Sequence, residues 1–196
     1  MNMIKRLVCV DFDGTIMNSP EPQEGMKIWK EKTGQDYPFK GWWSKPESLD
    51  LNVFDIKPFE GVLNLLKMEK KSPDTYVIIL TSRMDRLRPY VQAVLDANDI
   101  KVDKLDMKTI EKSKGEKILE YIKEFPDLEE IDVYDDRDSD IQSYKSIVDQ
   151  IPKNITFNIY LAASGKITPV TANNKLNNII NEEIINLLKH EENINC

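Results

Sequence analysis

Short apolar runs alternate with amphipathic stretches along most of this chain. Leu7-Val8-Cys9-Val10 is a continuous apolar run that stops at Asp11. Such a run is the pattern of a strand buried on both faces. Val62, Leu63, Leu65, Leu66 and Met68 recur at helical spacing, and Lys70 to Asp74 reads as a turn. Thr75 to Leu80 is β-branched and apolar, the clearest strand signal in the chain. Leu87, Tyr90, Val91, Val94 and Leu95 predict an amphipathic helix, with Pro89 tolerated in its first turn. A weaker strand follows at Val102 to Met107. Ile118, Leu119, Ile122 and Phe125 then predict a helix ended by Pro126. Ile131 to Tyr134 predicts a strand, Ile141, Tyr144 and Val148 a helix, Ile155 to Leu161 a strand, and Leu176 to Lys189 a last helix.

Strands that alternate with helices predict a parallel sheet covered on both faces, a three-layer α/β fold. Residues 18–58 break the rhythm. They hold four prolines before Pro58 and the aromatics Phe39, Trp42 and Trp43, without a sustained period. Linkers rarely carry tryptophan, so this segment reads as a structured insertion. The expected division is residues 1–17 and 59–165 as core, 18–58 as a cap-like insertion, and 166–196 as a C-terminal helical extension.

Composition narrows the picture without fixing it. The chain has 196 residues and a net charge of -7, which gives no long-range attraction to nucleic acid or an anionic membrane. No apolar run approaches a membrane span, and no signal peptide is evident. The two cysteines, Cys9 and Cys196, make no disulfide framework and suit a reducing cytoplasm. His190 is the sole histidine, which rules out a histidine metal cluster and a catalytic triad.

In a parallel sheet, ligands bind beyond the carboxyl ends of the strands. Those ends carry Asp11-Phe12-Asp13-Gly14-Thr15, Thr81-Ser82-Arg83 and Asp135-Asp136-Arg137, and a helix near Lys114 begins with lysine. Carboxylates gathered at one edge repel one another unless a cation sits among them, and hard oxygen donors favour Mg2+. A carboxylate beside such a cation can attack phosphorus, and a second one two residues on can move the proton. The Thr81 hydroxyl, and the amides after Asp11 and Thr81, offer donors to phosphoryl oxygens, and lysine supplies fixed positive charge. Gly14 allows the backbone to turn sharply and approach the substrate, and Gly14, Thr15 and Ser82 are expected to bind it.

This arrangement strongly resembles the haloacid dehalogenase (HAD) superfamily. Its four motifs stand here in order as VCVDFDGT, VIILTSR, KSKGEKILEYI and IDVYDDR, between residues 7 and about 150. The resemblance implies that Asp11 is nucleophile and metal ligand, and that Asp13 is general acid and base. It implies that Asp13 also binds metal through its carbonyl, that Thr81 holds the phosphoryl group, that Lys114 bridges phosphate and nucleophile, and that Asp135 and Asp136 bind metal, with Asp136 favoured as the direct ligand. A narrower resemblance links SPEPQEGMKIW, GWWSKPESL and YDDRDSD to the HAD-type domain of Swiss Army Knife RNA-repair proteins. Lys114 also stands twelve residues before Pro126, as in that group. The expected histidine is Asp140 here. Arg83 resembles the substrate-contacting arginine of polynucleotide phosphatases.

Plainer readings stand beside these. Asp-Gly pairs usually mark turns, Thr81 could be a helix cap, and acids suit the helix start at Asp138 and Asp140. Lys117 competes with Lys114 for the site. Trp42 and Trp43 are either packing or a stacking platform for a base. The acids at 136, 138 and 140 do not make a calcium loop, because Ile141 stands where glycine is required. The expected function is Mg2+-dependent phosphomonoester hydrolysis through an aspartyl phosphate. An RNA or DNA end phosphate is the first choice of substrate, a nucleotide or small metabolite the second, and a non-catalytic phosphate-binding module the rival of another class.

Overall fold

The computed structural model describes residues 3–108 and 112–171. Five strands lie parallel: β1 (Arg6–Val10), β2 (Thr75–Met84), β3 (Lys104–Lys108), β4 (Glu130–Asp135) and β5 (Thr156–Ala163). A sixth, β6 (Lys166–Thr171), returns antiparallel to β5. The spatial order is β3-β2-β1-β4-β5-β6. From β1 the chain moves outward to β2 and β3, then crosses back to lay β4 on the other side of β1. The crevice where the order reverses is therefore the β1–β4 boundary, the place such sheets bind ligands.

The period-two geometry of a strand explains the three layers. Val8 and Val10 of β1 point into one core and Leu7 and Cys9 into the other, and β2 divides in the same way between Val77 and Ile79 and Ile78 and Leu80. Helices α2 (Glu60–Glu69) and α3 (Arg88–Ala97) cover the first face through Val62, Leu66, Val91 and Val94. Helices α4 (Lys114–Glu124) and α5 (Asp138–Lys145) cover the second through Ile118, Tyr121, Ile141 and Tyr144. Each such side chain taken out of water contributes roughly 1.5–3 kcal/mol.

Residues 18–58 hold helix α1 (Pro22–Thr33) and a 3-10 turn at Pro46–Leu49. Trp42, Leu49, Phe54 and Ile56 of this segment join the same core as β1 and β2. The regular period fails at α1 because Gly25 is its one buried residue, and the Trp42 ring lies against it where a Cβ would come within 2.1 Å. A helix that packs through a glycine shows no apolar stripe.

Residues 166–171 correct the expected helical extension: they form β6, joined to β5 by a hairpin with positive φ at Ser164 and Gly165. Alternation there is weak, since β6 is an edge strand. The helix expected at Leu176 to Lys189 lies outside the described residues. Strand β2 also runs past Leu80 to Met84, with an irregular register between Thr81 and Met84 against β3.

Candidate active site

The site is built at the carboxyl ends of β1, β2 and β4. Strand β1 delivers Asp11, and buried Phe12 anchors the chain in the core, so Asp11 and Asp13 both lie on the outer side. The chain then folds back sharply, with the Gly14 amide donating to the Met17 carbonyl at 2.8 Å and the Met17 amide to the Phe12 carbonyl at 2.9 Å. Gly14 has φ +74, and a Cβ there would meet Asp136 Oδ2 at 2.3 Å. Glycine is required on both counts. The Thr15 side chain is turned inward, its hydroxyl 3.5 Å from Asp136 Oδ1, so it steadies that carboxylate and does not line the cavity.

Helix α4 begins with a capping box, Ser113 Oγ accepting from the Glu116 amide and the Glu116 carboxylate accepting from the Ser113 amide. This fixes the first turn and aims Lys114 inward. Its Nζ donates to Asp11 Oδ1 and to Asp135 Oδ2, both at 2.6 Å, although Lys114 is only 5% exposed. Asp140 Oδ2 lies 3.4 Å from the same nitrogen, in ion-pair range but without hydrogen-bond geometry. Lys117 is committed elsewhere: its Nζ donates to Asp106 Oδ1 at 2.5 Å and to the Met107 carbonyl at 3.0 Å. Of the two lysines, Lys114 is the one brought to Asp11.

Burial, and then the neighbouring acids, raise the proton affinities of Asp11, Asp135 and Asp136. Burial holds Asp11 well above the usual aspartate range, Lys114 opposes this, and Asp135 and Asp13 add to it. Burial raises Asp135 too, against Lys114 and with Asp140. Asp136 is pushed up to about 6 by burial and by the neighbouring Asp135. Burial alone would favour neutral Lys114, but Asp11, Asp135 and Asp140 outweigh it and keep the ammonium charged. Carboxylate oxygens of Asp11, Asp135 and Asp136 lie within 4.8 Å of one another. A hard divalent cation among them fits both the oxygen donors and the surplus of negative charge. Asp136 lines the cavity, whereas Asp135 sits fully buried behind it, with the Tyr144 hydroxyl 3.4 Å away.

Strand β2 supplies Thr81, Ser82 and Arg83. Thr81 and Ser82 line the cavity, and the Thr81 oxygen accepts from the Arg83 amide at 3.2 Å. Arg83 is only 3% exposed and grips Asp13 with two parallel bonds, Nε to Oδ2 at 2.7 Å and Nη2 to Oδ1 at 2.8 Å.

Together Asp11, Asp13, Thr81, Arg83 and Asp136 wall a cavity of about 210 Å³. Glu21, Trp43, Ser82, Arg137 and Asp140 complete its lining. A smaller cavity of about 100 Å³ adjoins it, sharing Thr81, Ser82 and Asp140 and lined further by Lys108, Lys112, Lys114 and Lys117. The tryptophans part company. Trp43 lines the larger cavity, but Trp42 is 3% exposed, packs on Phe54 and Tyr37, and donates its indole N–H to the Pro20 carbonyl at 2.9 Å. The expectation that Trp42 contacts substrate is therefore corrected, because its ring is buried against Tyr37, Phe54 and Gly25 and its N–H is used internally.

Sequence reasoning missed Glu21, Arg137 and Ser48, and gave Asp140 no role. Asp140 carried a usable signal: it stands in the first turn of the helix that directly follows the strand-end acids Asp135 and Asp136. Glu21 and Ser48 stand within SPEPQEGMKIW and GWWSKPESL, but nothing in those segments says that the path of the insertion brings them to the site.

A sequence model described as HAD domain family 1 in Swiss Army Knife RNA repair proteins matches residues 19–194. The chain is 25% identical over 169 residues to uncharacterized protein YMR265C of Saccharomyces cerevisiae, covering 73% of this chain and 37% of that relative. The chain thus spans little more than a third of that relative's length. The fold is similar to the HAD domain of the effector protein Lem4 from Legionella pneumophila, at 17% identity and TM-score 0.50, covering 83% of this chain and 88% of that one. A chain of the Pnkp1/Rnl/Hen1 complex aligns at 20% identity and TM-score 0.44, over 72% of this chain and 42% of that one.

Proposed function

This chain belongs to HAD domain family 1 in Swiss Army Knife RNA repair proteins, and from that membership of a phosphatase-type hydrolase superfamily we propose that it hydrolyses phosphomonoesters through a phosphoryl group carried on Asp11. The observation that carries the proposal is the contact of Lys114 with both Asp11 and Asp135 at 2.6 Å, beneath a cavity walled by Asp13, Thr81 and Asp136.

In this reading a phosphomonoester enters with its phosphoryl group toward Thr81, Ser82 and Lys114. An Asp11 carboxylate oxygen attacks phosphorus. The bond from phosphorus to the ester oxygen breaks, and that oxygen takes the electron pair and a proton from Asp13. Asp13, now a carboxylate, takes a proton from water as the water oxygen attacks the same phosphorus. The Asp11–phosphorus bond then breaks and phosphate leaves. Lys114 and the Ser82 amide stabilise the charge that spreads over the phosphoryl oxygens. Asp11, Asp135 and Asp136 would hold Mg2+, whose chemistry is to neutralise the substrate's charge and polarise a phosphoryl oxygen.

The substrate we favour is an RNA or DNA end phosphate. Trp43 gives the cavity an aromatic lining and Arg137 a cation, suited to a base and a phosphodiester. Residues 18–58 would act as a short cap that leaves room for a polymer. The net charge of -7 weighs toward nucleotides or small phosphorylated metabolites, the second reading. The proposed setting is the cytoplasm, in keeping with a free, buried Cys9. Among the described residues no helix is long and apolar enough to cross a membrane.

A phosphatase screen in Mg2+ tests this directly, setting end-phosphorylated oligonucleotides against nucleotides and sugar phosphates. Preference for oligonucleotides, with rates that fall as salt rises, supports the first substrate class. Activity confined to nucleotides and sugar phosphates removes it.

A further inference from the structure

The contacts of Arg83 extend past Asp13 into the inserted segment. Its Nη1 donates to Ser48 Oγ at 2.8 Å and to the Trp43 carbonyl at 3.4 Å, and its guanidinium lies 5.2 Å from the centre of the Trp43 ring. Ser48 is 0% exposed, and its own hydroxyl proton goes to the Lys45 carbonyl at 2.7 Å. The Ser48 oxygen is therefore committed as an acceptor toward Arg83. It cannot drift, since it sits in the Pro46–Leu49 turn that Leu49 pins in the core.

We propose that Ser48 is a positioning residue for proton transfer: it holds Arg83, and through Arg83 it holds Asp13 against the leaving oxygen. This rests on the phosphatase reading and deepens it. Asp13 must alternate between two forms. As a carboxylate it accepts both N–H bonds from Arg83, as the geometry has it. As an acid, one oxygen carries the proton that goes to the ester oxygen when the phosphorus–oxygen bond breaks, so one Arg83 contact opens. Ser48 and Trp43 then keep the guanidinium in place, and Asp13 returns to the same position to take a proton from the attacking water. A displacement of about 1 Å at such a group costs up to about a hundredfold in rate.

The experiment compares kcat/KM, which reports the step that forms the acyl phosphate, on two substrates. p-Nitrophenyl phosphate has a leaving group that departs without a proton; an oligonucleotide end phosphate, or failing that a sugar phosphate, has an alkoxide that needs one. Ser48→Ala should lower kcat/KM for the alkyl ester by about tenfold to a hundredfold and for the aryl ester by less than about threefold. Ser48→Thr, which keeps an acceptor oxygen, should recover the alkyl rate. Arg86→Ala is the control, since it removes the bond from Arg86 Nη2 to the Ser44 carbonyl at 3.1 Å in the same segment without touching Arg83. It should leave the ratio of the two rates unchanged. If Ser48→Ala loses its melting transition, the nearly isosteric Ser48→Cys, a much weaker acceptor, takes its place. Equal losses on the two esters overturn the role of Ser48 alone. A wild-type chain that hydrolyses neither ester overturns the phosphatase reading and this inference with it.

Discussion

Lys114 and Lys117 lie three residues apart on one helix, and only their partners tell them apart. Lys114→Ala leaves Asp11 and Asp135 without their shared cation and should cost about 10²–10³-fold in kcat/KM. Lys117→Ala instead strands Asp106, which also accepts from the Tyr121 hydroxyl at 2.6 Å. It should lower stability by roughly 1–3 kcal/mol in denaturant titration and spare turnover. The sequence could not separate them, because the deciding acid, Asp106, sits on a strand whose alternation is weak. The tryptophan pair poses the same problem. Trp42 and Trp43 lie in a bend and a turn after Gly41, where no alternation says which ring is inward. Trp42→Ala should cost about 3–5 kcal/mol, and Trp43→Ala should weaken bulky substrates with little loss of stability. Asp11, Asp13, Thr81 and the Asp135–Asp136 pair were legible because each ends a strong apolar strand.

Elements carry these residues into register, and close approaches between elements matter most. Helices α4 and α5 meet at Gly115, where a Cβ would come within 2.4 Å of the Ser143 carbonyl oxygen. Gly115→Ala should cost about 1–3 kcal/mol and, by shifting α4, reduce activity as well, since Lys114 is the adjacent residue. At the opposite ends of the strands, Arg6 meets Glu69, Glu130 and Asp132. Burial raises Asp132 to about 6, against the Asn158 amide and Arg6, from an ordinary value of 3.8. An acid raised on folding stabilises the fold most when protonated. Its contribution is full below about 3.8 and is lost as pH rises to about 6. Melting temperatures of the wild type and Asp132→Asn should therefore diverge between those values, with the wild type losing stability relative to the variant. A flat difference would remove Asp132 as the cause. Helix α1 and strand β6 show what patterning cannot convey, since one packs through a glycine and the other lies at a sheet edge.

For the whole molecule, the order of apolar segments was enough to read a parallel sheet covered by helices on both faces, because alternate residues of β1 and β2 feed separate cores. The sharing of one core between residues 18–58 and the sheet was not legible, since it depends on tertiary contacts of Trp42, Leu49 and Phe54. That sharing brings Ser48 and Trp43 to Arg83. The acid surplus at the β1–β4 crevice gives a prediction free of any assay of turnover. Mg2+ should raise the melting temperature, by about 2.7 kcal/mol of added stability at a hundred times its Kd, and Asp136→Asn should abolish the rise. The central claim, a phosphoryl group carried on Asp11, is tested most directly by trapping. Asp13→Asn, mixed with substrate and Mg2+ and quenched in acid, should retain one phosphoryl mass on the peptide that contains Asp11, and Asp11→Asn should retain none. Turnover by the wild type with no phosphoryl mass on that peptide in the trapped variant, or with the mass on a different residue, contradicts the account.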